Sequence, residues 1–127
     1  MLYKILNELP AEAKKDGSVD GKTPLPLIPL DLKDGFIHLS TKEQVAGSLN
    51  RFYGGPTEVV ILHVDAPGSK DEPIPEGKTG NKYRSKLQWD WVESRKEYFP
   101  HLYGDLLNED IAKAEILKRK DGHEWTY

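Results

Sequence analysis

The chain has 127 residues and a mass of 14.4 kDa, enough for one domain that buries a core without disulfide or metal staples. Its residues are 37% apolar and 31% charged, the balance of a water-exposed globular domain, and no run of about 18 apolar residues marks a membrane span. Cysteine is absent, which excludes disulfides, thiolate chemistry and cysteine-ligated zinc or iron–sulfur centres, and a net charge of −3 without a basic tract argues against affinity driven by a phosphate backbone.

In chain order, Leu2 to Leu6 predicts a short strand of β-type residues without a breaker. Ala11 to Lys15 can make one helical turn. Pro10, Gly17, Gly21, Pro24, Pro26 and Pro29 interrupt residues 10–35, and Thr23 to Leu30 reads as an extended loop, because each proline pushes its predecessor out of the helical region. Asp34-Gly35 signals a turn, and Phe36 to Ser40 a strand. Thr41 to Tyr53 then predicts the one firm helix. It opens with two overlapping capping boxes, Ser40 with Glu43 and Thr41 with Gln44, and presents Val45, Leu49, Phe52 and Tyr53 on one face. Gly54-Gly55-Pro56 is expected to end it with a left-handed glycine cap.

Val59 to Asp65 is a strand apolar on both faces, hence central. Residues 66–82 read as one long loop. Tyr83 to Tyr98 predicts strand pieces with a break near Glu93 to Lys96, and Phe99 to Gly104 reads as a turn-rich motif. In Ile111 to Arg119, alanine, lysine and glutamate favour helix by propensity, but Asp121-Gly122 suggests a strand ending in a turn, and the strand is preferred. The whole predicts a strand-rich α+β domain over residues 1–127. The opening residues lack the basic-then-apolar pattern of a signal peptide, so the expected location is the cytoplasm, with the nucleus open to so small a chain.

Chemistry can sit at two places. At the strand–helix joint, His38 and Ser40 share one pleat face just before a helix N-terminus, whose unpaired N–H groups favour anions. With Thr41 they can hold a phosphate or ribose; equally, Ser40 or Thr41 can simply cap the helix while His38 bonds nearby backbone. In Phe99 to Gly104, His101 and Tyr103 can be aimed at one cleft, the imidazole as acid or base and the phenol as a stacking or hydrogen-bonding wall, or they can form a packed aromatic corner. Asp90 and Glu93 are the nearest carboxylates to His101, and Arg84 and Arg95 the nearest guanidiniums for a phosphate. Trp89 and Trp91 share a face as core or pocket wall. His63 reads as a structural strand histidine, and the histidine spacing supports no metal site.

Asp34-Gly-Phe-Ile-His-Leu-Ser-Thr41 followed by Gln44-Val45, and Phe99-Pro-His-Leu-Tyr-Gly104 followed by Asp105-Leu106, together resemble the family called domain of unknown function 952. Tyr3-Lys4-Ile5 looks like that family's first strand, and the resemblance spans roughly residues 2–119. It implies an ADP-ribosyltransferase-like fold, a split mixed or antiparallel β-sheet with one main helix and an NAD-binding cleft. His38, with Ser40 and Thr41 beside it, would take the ribose; His101 and Tyr103 would lie across the cleft as catalytic residues. Family members carry a Trp-Glu before the second motif, for which Trp89-Asp90 and Trp91 with Glu93 are the candidates here. Segments 23–30 and 66–82 look longer than the family's connections and suit a lid or a partner contact.

The resemblance therefore implies an NAD- or ADP-ribose-binding protein with transferase-like or 2′-phosphotransferase-like chemistry. NAD is the expected cofactor, without a metal. The expected partner is a small nucleotide, nucleic acid entering only as an RNA end, with no membrane. The alternatives are a non-catalytic ligand sensor on the same scaffold and a two-histidine phosphoesterase-like hydrolase, for which His38-Leu-Ser40 supplies one H-x-[ST] pattern.

Overall fold

A computed structural model describes residues 1–72 and 86–127 of the protein. In chain order the elements are β1 (Leu2–Leu6), α1 (Pro29–Asp34), β2 (Ile37–His38), α2 (Lys42–Phe52), β3 (Glu58–Val64), β4 (Leu87–Val92), β5 (Glu97–Leu102) and β6 (Ile111–Lys118), with 3-10 turns at Ala11–Ala13 and Asn108–Asp110. They form two antiparallel three-stranded sheets, ordered β1-β3-β6 and β2-β5-β4. The expected α+β class with one main helix holds.

Three layers result. β3 is central in its sheet, and Val59 to Leu62 are all buried because both faces of the strand are covered. On one face Leu2, Leu6, Val60, Leu62 and Val64 pack against Ile37 and Leu102 of the second sheet. On the other face Tyr3, Ile5, Val59 and Ile61 meet Val45 and Leu49 of α2 and the indole of Trp125. Trp125 is clamped by Asn50, whose side chain bonds its N–H and carbonyl, and by Tyr53 O, which accepts from its Nε1 at 2.8 Å. Burying roughly 200 Å² of indole contributes about 5 kcal/mol before the ordering of the tail is subtracted. The tail preceding it is a strand, as the turn at Asp121-Gly122 implies, and Gly122 takes a φ of 78° there.

One proline separates the sheets. Leu39 N donates to Pro100 O at 3.1 Å, but Pro100 has no N–H to return the second bond of that pair. The β2 ladder therefore ends at His38. Two residues on, Ser40 exchanges both backbone bonds with Tyr3 of β1, each 2.9 Å. Residues 37–40 thus pass from one sheet to the other, and the layers splay around His38.

Four sequence expectations need correction. The expected loop 23–30 gives way at its end to helix α1: Pro29 starts it, where its fixed φ and missing N–H do no harm, and the pre-proline restriction falls only on Ile28, which is extended. Gly35, at φ 81°, caps that helix, so the Asp34-Gly35 turn is a helix end. Phe99 to Leu102 lie in β5 rather than in a turn: Pro100 O still accepts from Leu39 N, and the missing Pro100 N–H falls at the end of the β2 ladder, where residues 39–40 turn towards β1. Neither Gly54 nor Gly55 is left-handed; α2 ends at Tyr53, whose N–H bonds Leu49 O. Of the expected loop 66–82, residues from 73 onward lie outside the described residues, as does Arg84. The Glu93 to Lys96 break is a tight β4–β5 hairpin.

Candidate functional site

Alternation along β2 and β5 assembles the site. Ile37 and Leu102 are opposite each other and face the core, so the adjacent pair, His38 and His101, shares the other face of the sheet, His38 half-buried and His101 buried. Their ring centroids are 5.3 Å apart, edge to face. Phe36, one pleat before His38, stacks on His101 at 4.1 Å and sits 5.0 Å from Tyr103. β4 lays Asp90 opposite Phe99, on the same face. A cavity of about 910 Å³ opens over this surface, within the range of roughly 300–1,000 Å³ usual for small-molecule sites. His38, Ser40, His101 and Tyr103 line it; Thr41 is the N-cap of α2, outside the lining, where its N–H bonds Gln44 Oε1 at 3.0 Å. Of the two capping boxes it is the second that forms this bond.

His101 is held by one ring nitrogen. Its Nδ1 lies 2.8 Å from Asp90 Oδ2, and Tyr103 OH donates to the same oxygen at 2.6 Å. Burial and the nearby His38 outweigh Asp90 and lower the His101 pKa, so the ring is neutral at physiological pH. Burial pushes the Asp90 carboxyl up, but the bonds from Tyr103 and His101 outweigh it and hold the group ionised below its usual range. An ionised Asp90 accepts from Nδ1–H, which leaves the Nε2 lone pair unbonded among the described residues. The same carboxylate raises Tyr103 to about 12, so its hydroxyl stays protonated. Of the two acidic candidates, Asp90 is the one on His101; Glu93 instead accepts from Trp91 Nε1 and from Lys96 Nζ.

His38 is held from both sides. Nδ1 is 2.8 Å from Asp31 Oδ1 and Nε2 is 2.9 Å from Asp34 Oδ2, so both nitrogens can donate at once only as the imidazolium. Asp31 is itself pinned by Lys4, whose buried Nζ reaches its two oxygens at 3.0 and 2.8 Å and His38 O at 3.2 Å. Burial lowers the Lys4 pKa against the pull of Asp31. The Asp31 carboxyl is held below its usual range because the bonds from His38 and Lys4 outweigh burial. Lys4, Asp31 and Asp34 are absent from the sequence-derived site. Two signals were there: Lys4 interrupts an otherwise apolar strand, and Asp34 stands four residues before His38. The Lys4–Asp31 pairing, 27 residues apart, had none.

Beside the histidines, Phe99 carries the Arg95 guanidinium 4.7 Å above its ring, and Arg95 Nη1 donates to Ser48 Oγ at 3.2 Å. Trp89 packs on the core, whereas Trp91 is exposed against Tyr98 at the cavity rim. His63 lies elsewhere, in β3, bonded to Glu115. Among the described residues no group of three His, Cys, Asp or Glu side chains is arranged to hold a metal, and no helix is long and apolar enough to cross a membrane.

The family model described as Protein of unknown function (DUF952) matches residues 9–114, and the chain belongs to that family. It is similar to protein CC0527 from Caulobacter crescentus: to its crystal structure at 30% identity and a TM-score of 0.64, over 98% of this chain and 92% of that one. The solution NMR structure of CC0527 matches at 28% identity and a TM-score of 0.62, over 94% and 85%. No curated protein matches the chain.

Proposed function

We propose that the cleft binds a nucleotide of the NAD or ADP-ribose class, on an ADP-ribosyltransferase-like split sheet, and performs transferase-like or 2′-phosphotransferase-like chemistry. One observation carries this reading: His38 and His101 stand 5.3 Å apart on one cavity wall, and Asp90 orients His101 with Nε2 unbonded. A ligand ribose is the natural partner of His38 and Ser40, which line the cavity at the strand–helix joint, its hydroxyl or a phosphate oxygen taking a ring N–H from Asp34; Thr41, outside the lining, only caps the helix behind them. Phe36 and the Tyr103 ring offer a stacking wall. In the transfer step an acceptor hydroxyl gives its proton to His101 Nε2 and bonds to the ribose carbon; the carbon–nitrogen bond to nicotinamide breaks, and its electron pair leaves with the base. Asp90 stabilises the imidazolium formed. The finished Asp90–His101 pair favours this over a sensor that only binds.

A second reading rests on the same pair. A neutral imidazole beside one able to donate from both nitrogens is also an acid–base couple for a phosphodiester. It predicts hydrolysis of cyclic or linear phosphodiesters without NAD.

Thermal shift with NAD and ADP-ribose tests the first reading. Ligand at about 100 times its Kd stabilises by about 2.7 kcal/mol. The shift is expected in the wild type and absent in His38→Ala. A shift that survives His38→Ala, or none from the folded protein, contradicts it. His101→Ala is expected to keep binding and lose turnover.

A further inference from the structure

We propose that Arg95 is a phosphate subsite of the cleft, taking the phosphate or diphosphate of the nucleotide whose ribose reaches the histidines. It rests on the nucleotide reading for the identity of the whole ligand, but not for the phosphate itself.

The β4–β5 hairpin is shaped to deliver this side chain. Arg95 N bonds Val92 O and Lys96 N bonds Glu93 O, and Lys96 takes a φ of 54°, the left-handed region that a non-glycine residue adopts at a cost. The turn sends Arg95 back over Phe99 on the cleft face, where it lines the cavity. Ser48 Oγ holds Nη1, and α2 presents Gly47 to the other terminal nitrogen. A Cβ at position 47 would lie 3.0 Å from Arg95 Nη2. Glycine is the least favoured residue after proline inside a helix, so this close approach is what its presence there provides.

The guanidinium makes no ion pair among the described residues. The carboxylates around it are engaged: Glu93 with Lys96 and Trp91, Glu97 with Gln44 Nε2 at 2.9 Å. Burial and the charge of Arg51 outweigh Glu97 and lower the Arg95 pKa. The planar fork suits a phosphate, and Ser48 and Ser94 line the same cavity. Phe99 and His101 are two residues apart on one face, about 7 Å along the strand. A phosphate on Arg95 and a ribose beside His101 Nε2 therefore lie within one nucleotide.

The test is a titration of the full chain with inorganic pyrophosphate and, separately, ADP-ribose, followed by the Arg95 Nε–Hε resonance and by calorimetry. The variants are Arg95→Gln, Gly47→Ala and His38→Ala. Pyrophosphate is expected to shift that resonance. Arg95→Gln is expected to weaken both ligands at least 10-fold and to flatten the salt dependence of ADP-ribose binding. Gly47→Ala keeps the arginine and favours the helix, so it is expected to raise thermal stability yet weaken both ligands. ADP-ribose binding that needs His38 but is unchanged in Arg95→Gln overturns the subsite and leaves the nucleotide reading standing. Arg95-dependent pyrophosphate binding without ADP-ribose binding supports the subsite and overturns the nucleotide reading. Binding of neither ligand overturns both.

Discussion

His101 and His63 are built alike. Each sits on a strand, each bonds a carboxylate across the sheet, and each carboxylate also accepts from a tyrosine: Asp90 with Tyr103, Glu115 with Tyr127. Yet only His101 faces the cavity. His63 spends Nε2 on Glu115 at 2.7 Å, and Tyr3 packs edge-on against its ring at 4.9 Å, itself flanked by Tyr127. His101 spends Nδ1 and keeps Nε2. A histidine, a carboxylate and a phenol do not make a site by composition; the nitrogen left over, and what it faces, decide. The His63 group ties Tyr127 to the β1-β3-β6 sheet, whereas the His101 group lines the cavity with a ring nitrogen that has no partner among the described residues.

The sharpest way to break this contrast is in turnover. With any substrate the cleft accepts, His101→Gln is expected to lose about 10²–10⁴-fold in kcat, the usual worth of a general base. His63→Gln is expected to leave kcat within about twofold, and steady-state kinetics on both variants decides. Equal losses would erase the distinction.

The next effect is on stability. The cleft histidine beside His101 stands on the buried Lys4–Asp31 ion pair, and among the described residues the His63 group rests on no such buried pair. Asp31→Ala strands the Lys4 ammonium in the core and is expected to cost about 3–5 kcal/mol in chemical denaturation. Lys4→Met with Asp31→Leu is expected to recover most of that stability while ligand binding through His38 stays impaired. Glu115→Gln, at a half-exposed site, is expected to cost about 0.5–1.5 kcal/mol.

The smallest effects are in pH. Burial pushes Glu115 up, but its bonds from Tyr127 and His63 outweigh this and hold it below its ordinary 4.5. Its stabilisation is full above that value and lost as pH falls through the depressed one, so the Glu115→Gln deficit is expected to shrink on acidification. His101 has the opposite charge type and the same sign. Its pKa is depressed, so the unfolded chain binds a proton first, and stability falls as pH drops below about 6.5. Thermal denaturation of His101→Gln is expected to show a flatter acid side.

How much of this the sequence disclosed follows the range of the interactions. Alternation in Phe36 to Ser40 already placed His38 opposite the core-facing Ile37 and Leu39, and the two motifs belong to one cleft because their strands pair. The tail's strand was legible despite its helical composition, because a turn signal fixes register where propensity does not. Helix α1 was hidden by a local rule applied one residue too far, since Pro29 restricts Ile28 and not Asp31. The strand through Pro100 was hidden because proline is tolerated in a central strand only where a neighbour has peeled away, and that is a tertiary event. Lys4–Asp31 and Ser48–Arg95 pair residues far apart in sequence, beyond any local pattern.

The most direct measurement follows the imidazole resonances of all four histidines while ADP-ribose is added to the labelled protein. His38 and His101 are expected to shift together, with His63 and His123 unmoved. A response at His63, or silence at His38 and His101 while ligand binds, would contradict the cleft as the functional site.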